Sequence, residues 1–350
     1  MENIRLLSLK GSFVVAVFAL SCGAAFHKTI KSANEAIAED AAAELAYHPT
    51  YINQARGQFL NKSVTPGPWP VQVLSIGHTM ASYQDYGGGA YFHHGIDIRA
   101  EAGSSVVLPV NAEVIKVSNY NNGIPAYWEI AVRDDDGFVW QFHHVERNSI
   151  PEVVFNAEQS GQHLAAGTKI GEVYFWQVTT FGEVYHHVHL NILGEGGEFV
   201  NGFAFLQKLN DVKAPIVKDI AILQNGQRRS GSFVSGAYSL LVQIDDLILH
   251  DQFVVPPYVI RFSVDGGTKE TLWQFDRLPG GNSETQFVDQ LYVPGLVCGD
   301  YECRKPIMDL GFAPLGNRVF PQTHGAHHVE IDAADFEGNQ ATGQFNWTVQ

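Results

Sequence analysis

Histidines gather in three short stretches of this chain: Tyr91-Phe-His-His-Gly-Ile-Asp97, Phe142-His-His144 and Tyr185-His-His-Val-His189. The first places an imidazole and a carboxylate four positions apart across a glycine. The last places His187 and His189 at i and i+2, which on a β-strand point to one face while His186 points to the other. Neutral imidazole nitrogen and carboxylate oxygen both suit zinc, and a hydrolytic zinc site takes three protein ligands and leaves a fourth position to water. His93, Asp97 and His189 would supply the three. His144 and His187 then remain as groups that could move protons or stabilise a developing oxyanion.

Around these stretches lie His93-His-Gly-Ile-Asp-Ile98, Gly103-Ser-Ser-Val106, His144 at the end of Trp140-Gln-Phe-His-His144, Gly167-Thr-Lys-Ile-Gly171 and His187-Val-His-Leu190. In this order the motifs resemble the lysostaphin/LytM-type zinc endopeptidases of peptidoglycan, metallopeptidase family 23, over roughly residues 66 to 208. The resemblance implies that His93, rather than His94, joins Asp97 and His189 as the zinc ligands, with Gly95 letting the backbone turn between the first two. It also implies that His144 and His187 are catalytic and do not bind the metal. The chain departs from the family pattern before the last pair, where bulky Tyr174-Phe-Trp-Gln-Val-Thr-Thr-Phe-Gly-Glu-Val184 replaces a glycine-rich turn. After the pair, Leu190 and Asn191 replace the usual aromatic and acidic residues. Single histidines are ordinarily surface groups or hydrogen-bonded core residues, and His94, His143 and His186 are read that way. A metal-bound imidazole donates its second N–H to an acceptor, and Glu183 or Glu129 is a candidate for that role.

At 350 residues the chain has room for about two domains. Its 45% hydrophobic and 17% charged content can fill cores, and the supply of Val, Thr, Phe, Tyr and Gly favours β-structure. A formal net charge of -15 argues against nucleic acid as a partner. A peptidoglycan peptide would have to be held by groove contacts and the metal, without long-range attraction.

Residues 1-22 read as an export signal, with Arg5 and Lys10 before the apolar run Phe13 to Leu20, too short to span a bilayer. Cys22 followed by Gly23 offers a membrane lipid anchor as the alternative to ordinary cleavage. The expected destination is the periplasm or cell envelope. Residues 23-65 form a helical or linker segment that ends at Pro66-Gly-Pro-Trp-Pro70.

The expected architecture is mainly β: an antiparallel β-sheet zinc peptidase domain over 66-208, then an immunoglobulin-like β-sandwich over 209-350. Strand-like runs start at Val71, Ser105, Ala112, Trp128 and Phe138, and Asp134-Asp-Asp-Gly137 reads as a hairpin turn. Lys213-Ala-Pro215 reads as an interdomain linker. Tyr238 to Ile244, Tyr258 to Val264 and His327 to Ala333 are strand-like, and Asp265-Gly-Gly267 marks a tight turn. The hairpin ending Val329 to Asn339 resembles those of immunoglobulin-like domains. His324, His327 and His328 have no carboxylate or thiolate at ligand spacing and read as a strand-edge cluster. Cys298 and Cys303 lie close enough to form a local disulfide in an exported protein. The pattern therefore points to a zinc-dependent peptidoglycan endopeptidase, or to a wall-binding or regulatory protein that keeps the fold without turnover. Oligomeric state is left open.

Overall fold

A computed structural model describes residues 65–350, except 81, 86–88, 122, 178, 181, 250–252, 279–282, 294–304 and 314–317. Residues 1-22 with the expected export signal and Cys22, residues 23-64 of the expected helical or linker segment, and the Cys298/Cys303 pair lie outside the described residues. The fold is mainly β, and its sheets are antiparallel apart from one short parallel pairing of Phe233–Val234 with Gln340–Val349.

Seven strands form the sheet that carries the histidines. Their spatial order is Ser75–Ile76, Ile96–Arg99, His187–Leu193, Val139–His143, Trp128–Asp134, Ala112–Asn119 and His163–Leu164. Register explains why the chemistry collects on one side. Ile96, Leu190, Phe142, Ile130 and Val117 stand opposite one another across five strands, four of them fully buried and Val117 packed at the margin of the core. The neighbouring row is Asp97, His189, His143, Glu129 and Ser118. Successive side chains alternate faces, so a one-residue slip would exchange these rows. Each large apolar side chain contributes about 1.5–3 kcal/mol on burial, which makes such a slip prohibitive and pins the histidines by way of the isoleucines.

The Asp134 turn forms as expected. Asp134 Oδ1 accepts from the Asp136 and Phe138 amides, Gly137 adopts φ 91°, and Trp140 Nε1 donates to Asp134 Oδ2. The strand expected at Val71 instead begins at Ser75, because the chain from Val71 to Leu74 crosses the sheet edge with only single backbone bonds such as Leu74 N–H to Arg99 O. A helix, Glu152–Ser160, was not legible in the sequence. It buries only Val154 and Ala157, and Glu158 ties it to the sheet by accepting from Val117 N–H at 2.8 Å.

The C-terminal half forms a four-stranded and a five-stranded sheet, and Ile222, Leu240 and Val242 of one share a core with Ile260, Phe262, Val329 and Trp347 of the other. Met80, Ala90, Phe92 and Phe199 join this core from the N-terminal side, whereas Ile248 and Val255 pack into the core of the N-terminal half. The two halves are therefore built into each other. The stretch around Lys213 is also tethered, since Leu209 N–H donates to Glu337 Oε1 and Asn339 Nδ2 donates to Asp211 O.

Candidate metal centre

Asp97 and His189 stand opposite each other on adjacent strands, and His93 approaches from the loop before the Asp97 strand. His93 Nε2 lies 3.0 Å and His189 Nδ1 2.9 Å from Asp97 Oδ1, and the three donor atoms all lie within 4.8 Å of one another. His93 and Asp97 are buried; His189 is partly so.

The outward nitrogens show which form each ring takes. His93 Nδ1–H donates to Thr79 O at 3.2 Å, and a carbonyl can only accept. His189 Nε2–H donates to Asn191 Oδ1 at 2.7 Å, while Asn191 Nδ2 donates to Gln141 Oε1. In its neutral form each ring therefore has its Asp97-facing nitrogen available as a metal ligand. Burial pushes His93 below the ordinary imidazole range, although Asp97 opposes it. Burial would raise Asp97, but His93, His187 and His189 outweigh it and hold this carboxyl well below its usual value. A cation held between the three would accept a lone pair from each. Tetrahedral ligands about 2.0–2.1 Å from zinc sit about 3.3 Å apart, close to the spacing here. The donor set fits zinc.

The partners of the outward imidazole nitrogens differ from the sequence expectation. Thr79 O and Asn191 hold the ligand imidazoles, and Glu129 instead lies 3.6 Å from His143 Nε2. Glu183 pairs with Thr180 in a short outer hairpin. Asn191 serves as the acceptor for His189 because i and i+2 share a strand face.

Gly95 has a different role from the one expected. It is not among the glycines with positive φ, but a Cβ there would sit 2.2 Å from Leu190 O and 2.5 Å from Asn191 Oδ1. Close approach to the His189 strand, rather than a turn, requires the glycine.

His144 and His187 flank the centre, with ring centroids 4.7 Å apart. His187 Nδ1–H donates to Tyr185 O at 2.9 Å, and its Nε2 lies 3.8 Å from Asp97 Oδ1. His144 Nδ1–H donates to Ala126 O at 2.8 Å. Both rings are buried and pushed below the ordinary imidazole range, chiefly by burial, so each presents Nε2 as a base. His144 follows the last strand residue and would continue to the opposite face, but its φ of 62° turns the chain so that its ring comes within 6.3 Å of the His189 ring. A non-glycine residue in this conformation costs about 1–3 kcal/mol, a strain met at functional sites.

The three histidines read as bystanders are all at least half-buried. His94 stacks on Phe199 at 4.1 Å, His143 lies beside His189 at 5.2 Å, and His186 Nδ1 accepts from Trp176 N–H. Sequence reasoning missed His78 and assigned no role to Tyr185. Tyr185 OH donates to Asp97 Oδ2 at 2.8 Å, and His78 Nε2 lies 4.0 Å from the same oxygen. His78 carried no signal, since its approach depends on the edge strand. The altered segment forms an aromatic wall: Trp176 lies 4.9 Å from His144 and 5.4 Å from His187, and Tyr127 lies 6.1 Å from Trp176.

No protein-family model and no curated protein matches the chain. Among solved structures it is similar to Helicobacter pylori Csd3, at 13% identity and a TM-score of 0.32, over 42% of this chain and 36% of that one. It is also similar to a Pseudomonas aeruginosa protein assigned to peptidase M23, at 20% identity and a TM-score of 0.29, over 48% of this chain and 59% of that one. A third similarity, to the extracellular domain of the Bacteroides thetaiotaomicron one component system BT4673, has 10% identity and a TM-score of 0.19, over 76% of this chain and 30% of that one. The chain thus spans about a third of Csd3 and about three fifths of the Pseudomonas protein. TM-scores this low leave function to the side chains themselves.

Proposed function

We propose that this chain is a zinc-dependent endopeptidase that hydrolyses peptide bonds in the stem or cross-bridge peptides of peptidoglycan, acting in the periplasm or cell envelope after export. The observation that carries this reading is the inward convergence of His93 Nε2, Asp97 Oδ1 and His189 Nδ1, with each outward imidazole N–H anchored. The motif resemblance over residues 66 to 208 supplies the wall peptide as substrate class. No helix among the described residues is long and apolar enough to cross a membrane.

Zinc held by these three residues would acidify a water molecule and polarise the scissile carbonyl. The chain's own groups supply the proton path. His144 and His187 enter neutral, each with Nδ1–H fixed on a backbone carbonyl and Nε2 directed inward. The pair accepts the proton of the attacking water, shields the developing oxyanion as imidazolium, and returns the proton to the departing amine.

Trp176 and Tyr127, packed against His144, favour a second reading: a wall-binding or regulatory protein whose groove stays covered. Hydrolysis of purified cell wall, with zinc content measured in parallel, separates the two. His189→Ala is expected to lose zinc and activity together, and His187→Ala to keep zinc while activity falls at least about 100-fold. Stoichiometric zinc in the wild type with no bond cleaved in several wall types would favour the regulatory reading.

A further inference from the structure

The two oxygens of Asp97 face different partners. Oδ1 meets His93, His189 and His187, whereas Oδ2 accepts a hydrogen bond from Tyr185 OH at 2.8 Å. Tyr185 also offers its backbone carbonyl to His187 Nδ1–H at 2.9 Å. One buried residue therefore touches both a proposed ligand and a proposed catalytic base. Its seat is tight: a Cβ at Gly77 would lie 2.1 Å from the Tyr185 hydroxyl, and Gly77 N–H itself donates to Asp97 O at 2.9 Å.

The wall behind Tyr185 comes from the C-terminal half. Phe253 is 1% exposed, and its ring lies 5.4 Å from the Tyr185 ring. The Arg99 guanidinium stands 4.5 Å over Phe253 and donates to Val184 O at 2.6 Å and to Ser75 Oγ at 3.0 Å. Ile76 N–H reaches Ile248 O at 3.5 Å, and Ile248 and Val255 share a core with Ile76 and Val188.

We propose that Tyr185 is the positioning residue for Asp97, confining the carboxylate to metal contact through Oδ1, and that Phe253 of the C-terminal half holds Tyr185 in place. This inference rests on the zinc reading of the site. With Oδ2 occupied by a hydroxyl, the carboxylate cannot rotate or close on the metal through both oxygens. Outer-shell partners of this kind change metal affinity about 10–100-fold.

The test uses the full chain, with zinc affinity measured by competition against a chromophoric chelator and ligand geometry by visible absorption of the cobalt(II) form. Tyr185→Phe keeps the ring and is expected to weaken zinc binding about 10–100-fold and to alter the cobalt spectrum. Phe253→Leu keeps an apolar filler but removes the facing ring, and is expected to weaken zinc in the same direction by a smaller factor. The double variant should bind no more weakly than Tyr185→Phe alone, since both changes act through one hydroxyl. Wild-type zinc affinity and an unchanged cobalt spectrum in Tyr185→Phe would overturn the positioning role, and additive losses would overturn the coupling to Phe253. A wild type that binds no zinc would instead sink the metal reading.

Discussion

Asp97 and Asp246 are both buried carboxylates, 4% and 2% exposed, yet their surroundings drive them in opposite directions. Desolvation raises both. Around Asp97 the imidazoles of His93, His187 and His189 outweigh it, and the group is held well below its usual value. Around Asp246 burial is reinforced by Asp335 and Asp211, only the Leu247 N–H offsets it, and the carboxyl is pushed up to about 8. Asp335 meanwhile takes the Gly338 and Asn339 amides and Asn339 Nδ2, closing the last hairpin. Burial sets the size of the electrostatic problem; the neighbours decide its sign.

The histidines show the same contrast. His327 places Nδ1 2.7 Å from Asp265 Oδ2 and Nε2 2.8 Å from Thr323 O, so both nitrogens donate and its pKa rises. At the candidate metal centre one nitrogen of His93, His144, His187 and His189 meets a carbonyl or amide acceptor, and the other is available as a base or ligand. Against the strand-edge reading, His327 is buried on the Gly325–Ala334 strand, which has a neighbour on each side, and a carboxylate, Asp265, does reach it. Among the described residues, this cluster is not one of the groups able to hold a metal.

The largest expected effect comes from breaking the approach that gives Asp97 its imidazoles. Gly95→Ala would push a Cβ against Leu190 O, a backbone atom that cannot step aside. Loss of about 3 kcal/mol in denaturant unfolding is expected, together with loss of bound zinc. Unchanged stability and zinc content would show that the two strands can separate without cost.

Asp246→Asn tests the opposite pole. The folded state holds a proton that the unfolded chain releases near 3.8, so stability present below that pH is lost as pH rises toward about 8. The amide removes this loss. Thermal unfolding from pH 4 to 8.5 should show a higher Tm for the variant at the alkaline end and a flatter slope, with about 2–4 °C gained per kcal/mol relieved. An unchanged slope would mean that Asp246 does not titrate there.

The smallest effect is a difference of sign between two histidines in chelator-treated protein. His144 stays neutral when folded, so it adds a loss of stability as pH falls below about 6.5 toward its lowered folded value. His327 does the reverse, giving stability below about 6.5 that is lost as pH rises through its raised folded value. Comparing Tm at pH 5 and pH 8, His144→Gln should reduce the acid sensitivity and His327→Gln should increase it. Parallel shifts in both variants would remove the distinction.

Much of the centre was legible locally. The i, i+2 spacing of His187 and His189 survives as one strand face, and Asn191 extends it by the same period. Other features were not. Gly95 looked like a turn residue because sequence carries no sign of the strand that presses against it. His144 occupies a position that alternation alone would have sent to the opposite face, and its left-handed backbone reverses this. The helix Glu152–Ser160 has too narrow an apolar stripe to stand out, since it buries only Val154 and Ala157 and is otherwise tied down by Val117 N–H donating to Glu158 Oε1.

By itself, the sequence determined the donor chemistry: imidazoles and a carboxylate at strand and loop spacings suited to zinc, beside apolar residues that alternate with them and fix the register. Alternation is a local property of extended backbone, so it can be read without a fold. Tertiary structure alone decided which nitrogen of each histidine points inward, which oxygen of Asp97 faces His93 and His189, and that Tyr185 and Phe253 stand behind it. Those choices depend on acceptors such as Thr79 O and Ala126 O, 14 and 18 residues from the histidines they hold, and on packing between the two halves of the chain. Hydrogen bonds and ring contacts of that reach exist only once the sheets have closed.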